Sequence, residues 1–318
     1  ATKTIAVRKP RSMRIRFEGH LPPGVYAKDL ILHLISRFGA SGGTGYAIEF
    51  AGSAIRALPI EARFTLCNMA VEFGAWTGIV APDETTFNYV RGRPFAPGPA
   101  IWDQAVAHWR TLVSDADAVF DREIEIDCTQ LGPHITWGTS PQHGGNIGDA
   151  VPDPAAEPDQ NRRQSMQRAL DYMGLAPGAP LEGLPISAAF IGSCTNSRIS
   201  DLREAARLLR GHKVAAGVKA ICVPGSSQVK KAAEAEGLDQ IFREAGFESA
   251  VEFLSRIAQI NVIVTPDAAD LATSAKVTLS AKDLPLSQAL RDLCDAAPGL
   301  AFDLDEENRL VTIKKRAE

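Results

Sequence analysis

The chain has 318 residues, 34 Lys plus Arg against 38 Asp plus Glu, and 45% hydrophobic residues, the balance of a folded protein rather than of a disordered or collagen-like chain. At about 100–200 residues per domain this length accommodates two or three domains, each able to bury its own core. A formal net charge of −4 supplies no broad basic field, which argues against nucleic acid or an anionic membrane surface as the main partner and leaves small molecules and proteins.

No stretch approaches the roughly 18 consecutive apolar residues of a membrane helix. The N-terminal ATKTIAVRKPRSMRIRF is cationic with no apolar signal core behind it. The five cysteines, Cys67, Cys128, Cys194, Cys222 and Cys294, are odd in number and include no C-x-x-C pair, which argues against a disulfide framework and for a cytoplasmic protein.

MRIRFEG, from Met13 to Gly19, alternates apolar with charged residues as a half-buried strand does, and LPPG then turns the chain into AKDLILHLISRFG. There Leu30, Ile31, Leu34 and Ile35 recur at helical spacing, and Gly39 is placed to end the helix. YAIEFAG predicts a second strand. EARFTLCNMAVEFGAWTG predicts a helix with Leu66, Met69, Ala70 and Phe73 along one stripe. Between 91 and 157 the pattern loosens around RGRPFAPGPA and QHGGNIGDAVPDPAAEPD, interrupted by a helix near 101–113 and a strand near 123–128. Pro152, Pro154 and Pro158 mark a linker, because each fixes its own φ and biases the preceding residue away from helix. The first domain is therefore assigned to 1–155.

A short helix over 162–173 and the loop GLAPGAPLEGLP lead into a second unit. Its order is strand SAAFIGS, turn CTNSR, helix SDLREAARLLRG, strand VKAICVPG, helix SSQVKKAAEAEG and then LDQIFREAGFE. Leu202, Ala205, Ala206 and Leu209 share one helix face, with Ser200 as N-cap, Asp201 at the positive end of the dipole and Gly211 closing the helix. Strand and helix in alternation imply parallel strands, whose carboxyl ends are where a site belongs. This second domain spans 156–249. Residues 250–318 read as helix, two strands, helix and a hairpin, LAFDLDEENRLVTIKK, and so as a small α+β module. The fold class is α/β with that module appended.

The segment Gly192–Arg198, GSCTNSR, lies where an apolar strand meets a helix start. Backbone N–H groups and the helix dipole converge there, a setting that stabilises thiolates and bound anions. Cys194 suits a metal cluster or a nucleophile, and Ser193, Thr195, Asn196 and Ser197 add short donors for substrate oxygens. A polar, well-capped turn with a buried thiol is the plainer reading. Ser226 and Ser227 in PGSSQVK occupy another helix start, where they either bind a carboxylate or simply cap. Asp83 and Glu84 are a carboxylate pair or a turn before the next element. Gly42, Gly43 and Gly45 resemble a phosphate cradle only loosely, because no Lys-Ser/Thr follows. The six His residues show no H-x-x-x-H spacing, so nothing supports a mononuclear zinc site.

FIGSCTNSRISDLREAA resembles the cluster-binding segment of the aconitase superfamily. The stretch 1–248 resembles the large-subunit family of the 3-isopropylmalate dehydratases, through KPRSMRIRFEGHLPPGVYAKDLIL, GGTGYAIEFAGSAIRAL, CNMAVEFGAWTGIVAPDETTFNYVRGR, WGTSP, DYMGLAPG, GSCTNSR and VPGSSQVKKAAEAEGLDQIFREAGFE in family order. The resemblance implies two aconitase-type parallel-sheet domains. It also implies a hydro-lyase that isomerises 2- and 3-isopropylmalate through isopropylmaleate in leucine biosynthesis. A [4Fe–4S] cluster held by three Cys would act as Lewis acid, and a separate small swivel subunit would complete the site. On this reading Cys194 is a cluster ligand and Asn68 and Glu72 are the cluster-proximal catalytic pair. Ser193, Thr195, Asn196, Ser197, Arg198 and Ser226 line the substrate site.

The family's Cys-x-x-Cys segment is expected soon after AGFE, but here AGFE runs into Ser249 and Ala250. The family's Asp-His and Gly-Asp-Ser-His-Thr segments do not occur on the N-terminal side. The chain therefore reads as an internal part of such a subunit, expected not to retain the cluster by itself. Cys67, Cys128, Cys222 and Cys294 read as buried or unassigned thiols rather than substitute ligands. IAQINVIVTPD and the segments after it resemble the short N-terminal domain of secretins and TonB-type proteins, a protein-docking module. Two other readings follow: a non-catalytic remnant or fusion carrying a docking module, and a metal-free dicarboxylate-binding protein.

Overall fold

Alternation with a period of two gives β1 (Arg11–Glu18) one apolar face: Met13, Ile15 and Phe17 are fully buried, while Arg14 and Arg16 point to the other side of the sheet. The computed structural model describes residues 8–193, 195–247, 261–264, 300–305 and 310–315, and the chain divides into two units, Ala1–Leu184 and Pro185–Glu318.

In the first unit β1 is followed by α1 (Ala27–Phe38), β2 (Tyr46–Ala51), α2 (Ser53–Ala57), α3 (Ile60–Met69) and β3 (Thr77–Ile79). Next come α4 (Glu84–Val90), α5 (Pro99–Trp109) and β4 (Arg122–Asp127). The four strands pair in the order β3-β2-β1-β4, every pair parallel. The chain thus builds outward from β1 to β3 and then returns to the opposite side of β1, so the reversal falls between β1 and β4. α1 supplies Leu30, Ile31, Leu34 and Ile35 to the core and ends at Gly39, whose N–H donates to Ile35 O. α3 supplies Leu66 and Met69.

The helix expected over 61–78 is shorter. It stops at Met69, and residues 70–74 turn. Gly74 adopts φ 90°, and a Cβ there would meet Thr44 Oγ1 at 2.8 Å and Ala40 O at 2.9 Å. The close approach to the loop before β2 therefore requires glycine and redirects the chain into β3. The apolar stripe survives this change: Leu66, Met69, Ala70 and Phe73 are all buried.

After β4 come the antiparallel pair β5 (His134–Thr136) and β6 (Gly144–Asn146), then α6 (Gln160–Met173). Trp137, Val151, Ala169, Leu170 and Leu181 form a satellite core. Asp159 caps α6 by accepting from Arg162 N, and Gly174 closes it in the left-handed region. Val151 and Pro154 are buried here, so the proline-rich stretch 152–158 lies inside the first unit.

The second unit contains β7 (Ala188–Ile191), α7 (Ile199–Leu209), β8 (Lys219–Cys222), α8 (Ser227–Ala235) and α9 (Leu238–Ala245). β7 and β8 are parallel, as the alternation predicts. Leu202 and Ala206 of α7 pack with Ala220, Ala233, Leu238, Phe242 and Phe247. The N-cap of α7 is Arg198 rather than Ser200. Asp201 decides this, because its carboxylate accepts from Arg198 N at 2.9 Å and starts the helix two residues earlier.

Beyond it lie β9 (Asn261–Val264), β10 (Leu300–Asp305) and β11 (Leu310–Lys315), ordered β10-β11-β9. β10 and β11 are antiparallel, as the hairpin pattern requires, and β11 runs parallel to β9. The helices expected over 251–260 and 286–296 and the strand over 276–282 lie outside the described residues.

Candidate functional site

In the second unit the chain leaves β7 and β8 at their carboxyl ends through two loops, 192–198 and 223–226, each of which opens a helix. Ile191 and Cys222 are register partners, and Val223 N donates to Ile191 O at 2.8 Å, so the loops start side by side. Gly225 N donates to Ser197 O at 2.9 Å, and Ser197 Oγ donates to Val223 O at 2.7 Å. These bonds join the residues just before the starts of α7 and α8. The candidate substrate residues Ser193, Thr195, Asn196, Ser197, Arg198 and Ser226 are therefore grouped on two hydrogen-bonded loops.

Their hydroxyls are not equivalent. Ser193 Oγ accepts from Asn196 N at 2.7 Å, and Ser226 Oγ caps α8 by accepting from Val229 N at 3.1 Å. Both residues are exposed. A hydroxyl that accepts a backbone N–H still has its own O–H to donate, so Ser193 and Ser226 each keep a donor for an anionic ligand. Ser197 is buried and its O–H is already committed to Val223 O. Thr195 is buried as well. Cys194 lies outside the described residues.

In the first unit Asn68 sits in the last turn of α3, and Glu72 lies just past the helix end in the turn 70–74. The expected i, i+4 placement on one helix is thus split between a helix and a turn. Glu72 Oε2 is buried with no hydrogen-bond partner among the described residues, an oxygen that costs free energy unless a ligand or water satisfies it. Asp83 and Glu84 start α4. Asp83 accepts from Thr86 N and holds the buried guanidinium of Arg63 through two bonds of 2.8 Å, which is a structural role. Burial raises the Asp83 carboxyl, but the hydrogen bonds from Arg63 and Thr86 outweigh it and leave the group below its ordinary range.

Sequence reading missed Arg63. It stands in the middle of α3, where the apolar pattern gives no sign that a cation is fully buried. Together with Arg14, Arg56, Glu49, Asp83 and Ser114 it lines a cavity of about 360 Å³ on the sheet side of the first unit.

The thiols offer a direct test of whether a [4Fe–4S] group suits this chain. Burial pushes Cys67, Cys128 and Cys222 each up to about 11. Cys67 packs against the core of the first unit, Cys128 lies within that core, and Cys222 packs against the core of the second. Protonated thiols embedded in apolar surroundings are poor ligands. Among the described residues no group of three His, Cys, Asp or Glu side chains is arranged to hold a metal. A cubane on this chain would need sulfurs other than these three.

The parallel sheets, and the GSCTNSR loop at the end of one of them, agree with what the family comparison finds. The model of the aconitase family (aconitate hydratase) matches residues 1–253. The chain belongs to the aconitase family. Over 248 residues, 78% of this chain, it is 60% identical to 3-isopropylmalate dehydratase large subunit 1 of Bradyrhizobium diazoefficiens. Over 248 residues it is also 55% identical to the 3-isopropylmalate dehydratase large subunit of Roseiflexus castenholzii. The chain spans about half the length of these relatives, 52% in each case. No helix among the described residues is long and apolar enough to cross a membrane.

Proposed function

We propose that this chain is part of a cytoplasmic hydro-lyase of the 3-isopropylmalate dehydratase type, whose substrates are 2- and 3-isopropylmalate, interconverted through isopropylmaleate in leucine biosynthesis. The observation that carries this reading is the 60% and 55% identity to two large subunits of that name, over a stretch that contains both Asn68–Glu72 and Gly192–Arg198. A small swivel subunit is the partner that the large-subunit relationship calls for. The family's [4Fe–4S] cluster supplies Lewis-acid chemistry where it is bound; Cys67, Cys128 and Cys222 do not fit it, and the candidate ligand Cys194 lies outside the described residues.

The chain's own residues bind and orient. Ser193, in the loop before α7, and Ser226, at the start of α8, donate their free O–H groups to substrate carboxylate oxygens, and the α8 dipole favours negative charge beside Ser226. Arg198, the N-cap of α7, adds a cation to the same loop, and Asn196 donates its N–H to Ser193 Oγ and so shapes the turn. On the first unit, taken by itself, Glu72 Oε2 is a buried acceptor for a proton of water or of a ligand, with Asn68 one helical turn earlier in the chain. The docking role of 250–318 is a separate proposal, for which β9, β10 and β11 provide the scaffold.

Calorimetric titration with 2-isopropylmalate tests the reading. Binding is expected, and Ser226→Asp weakens it about tenfold or more by placing an anion where the substrate carboxylate sits. Isopropylmaleate formed after adding small subunit, iron and sulfide is the stronger form of the same result. Absence of both heat and turnover overturns the assignment and leaves the non-catalytic scaffold. Heat unchanged by Ser226→Asp removes Ser226 from the site.

A further inference from the structure

Ser197 has a φ of 77°, the one positive φ at a non-glycine position among the described residues. For a residue with a Cβ the left-handed region is unfavourable, and such strain persists only where the surroundings impose it. Here the surroundings are identifiable. The side chain is 2% exposed, its Oγ donates to Val223 O at 2.7 Å, and its carbonyl accepts from Gly225 N at 2.9 Å. One residue of the first loop therefore makes both a side-chain and a main-chain bond to the second.

The approach is close enough to exclude side chains on the opposing strands. A Cβ on Gly225 would lie 2.9 Å from Ser197 O, and a Cβ on Gly192 would lie 2.9 Å from Val223 O. The two glycines bring the loops together, and Ser197 fastens them. Two other bonds of the 192–198 loop, the Ser193–Asn196 turn and the Asp201 bond to Arg198 N, are both local to it. Neither fixes it relative to 223–226.

We propose that Ser197 is a positioning residue rather than a substrate contact: its strained backbone and buried hydroxyl lock the two loops in register, and thereby set the spacing between Ser193 and Ser226. This rests on the reading that these two serines share a carboxylate-bearing substrate. The lock itself is independent of what binds.

The test has a ligand-free part and a ligand part. Amide hydrogen exchange in the intact chain reports the lock at Gly225. Ser197→Ala loses the hydroxyl bond and keeps the Cβ at positive φ, so Gly225 exchange is expected to accelerate at least tenfold, with Lys219, whose N–H donates to Ser187 O at the far end of the β7–β8 ladder, unchanged. Ser197→Gly also loses the hydroxyl but relieves the backbone, and is expected to fall between wild type and alanine. Gly225 protection unchanged in both variants overturns the proposal.

In the ligand part, Ser197→Ala is expected to weaken 2-isopropylmalate binding about tenfold, with partial recovery in Ser197→Gly. Phe242→Leu, which loosens the same unit away from the loops, should leave affinity unaltered. Affinity that falls as much in Phe242→Leu as in Ser197→Ala means ordinary destabilisation and overturns the positioning role. Faster Gly225 exchange in a protein whose wild type binds no isopropylmalate supports the lock and sinks the substrate assignment instead.

Discussion

The two units solve the same problem with different means. Among the described residues the core on the four-stranded parallel sheet of the first unit holds twenty-four buried apolar side chains, while the core on β7 and β8 of the second holds eight, four of them alanine. Phe190 of β7 is 62% exposed, whereas Phe17 of β1 and Phe50 of β2 are fully buried and pack ring against ring at 6.4 Å. Parallel strands are normally covered on both faces, and the second unit approaches that only partly. Apolar burial scales with area removed from water, so the first unit is held by its core. The second depends more on individual polar locks, and the candidate substrate loops sit on it.

Large-to-small core substitutions test that contrast most severely. Phe50→Ala should cost about 3–5 kcal/mol, the range for a buried aromatic ring in a packed core. Phe242→Ala in the smaller core should cost about 3 kcal/mol, because its ring packs edge-on against Phe247 but has fewer large neighbours to leave a rigid cavity. Urea unfolding of each variant measures both. A larger loss for Phe242→Ala would reverse the comparison.

A buried ion pair sharpens it next. Asp83→Asn leaves the Arg63 guanidinium, 2% exposed, without its counter-charge. Breaking a fully buried pair costs 3–5 kcal/mol, and about 2 kcal/mol is expected here because Asp83 itself is partly exposed. Arg63 would keep its bonds to Leu58 O and Arg56 O. The Asp83 carboxyl is held below its ordinary range, so its stabilisation is complete above the unfolded value and is lost as pH falls through the folded one. Wild type should therefore lose its advantage over Asp83→Asn in acid, read from thermal midpoints at pH 7 and pH 3.

Arg63 also marks the limit of what the sequence discloses. Strands and helices with clear periodicity were legible: RSMRIRFE, AKDLILHLISRF and ISDLREAARLL each carry their buried face in their spacing. Where α3 ends was not, because the stop is imposed by Thr44 and Ala40 against Gly74, residues far from it in sequence. The α7 cap was misread for a milder reason, since Ser200 and Arg198 differ only in which residue Asp201 reaches back to bond. At the candidate site the motif marks the loop that opens α7, and the place of Ser226 beside it follows from the pairing of β7 with β8. What spacing could not reveal is which serine keeps a free O–H, because that depends on Val223 and Val229 as partners. Arg63 gave no signal, as burial of a cation is a tertiary fact.

Histidine supplies a smaller effect that again belongs to the first unit. His33 of α1 meets His134 of β5 edge to face at 5.2 Å. Burial, then the neighbouring His134 and Arg37, lowers His33 to about 4 from an ordinary 6.5. Asp29 faces the same region, accepting from His134 N at 2.7 Å. The unfolded chain binds a proton that the folded chain refuses between those values, so stability rises with pH across that window and declines as pH drops from 6.5 toward 4. His33→Gln should be less stable than wild type at pH 7, with the gap closing by pH 4.5. A gap that persists at pH 4.5 would mean packing rather than protonation sets the role of His33.

The smallest effect is expected from the most conspicuous ion pair of the second unit. Arg203 of α7 grips Glu236, just past α8, through bonds of 2.7 and 2.6 Å, and this hydrogen bonding draws the Glu236 carboxyl below its ordinary range. Both side chains face solvent, at 55% and 37% exposure, so water and salt compete with every contact they make. Arg203→Ala should therefore move the thermal midpoint imperceptibly at 150 mM salt and only slightly at 10 mM. Ser197→Ala, which removes a single bond of similar length, should show clearly in Gly225 exchange, because the bond lost is made by a buried hydroxyl and Val223 O is left without that donor. If Arg203→Ala disturbed the unit as much as Ser197→Ala does, burial would not be what separates a lock from a decoration, and the polar devices of the second unit would need a different account.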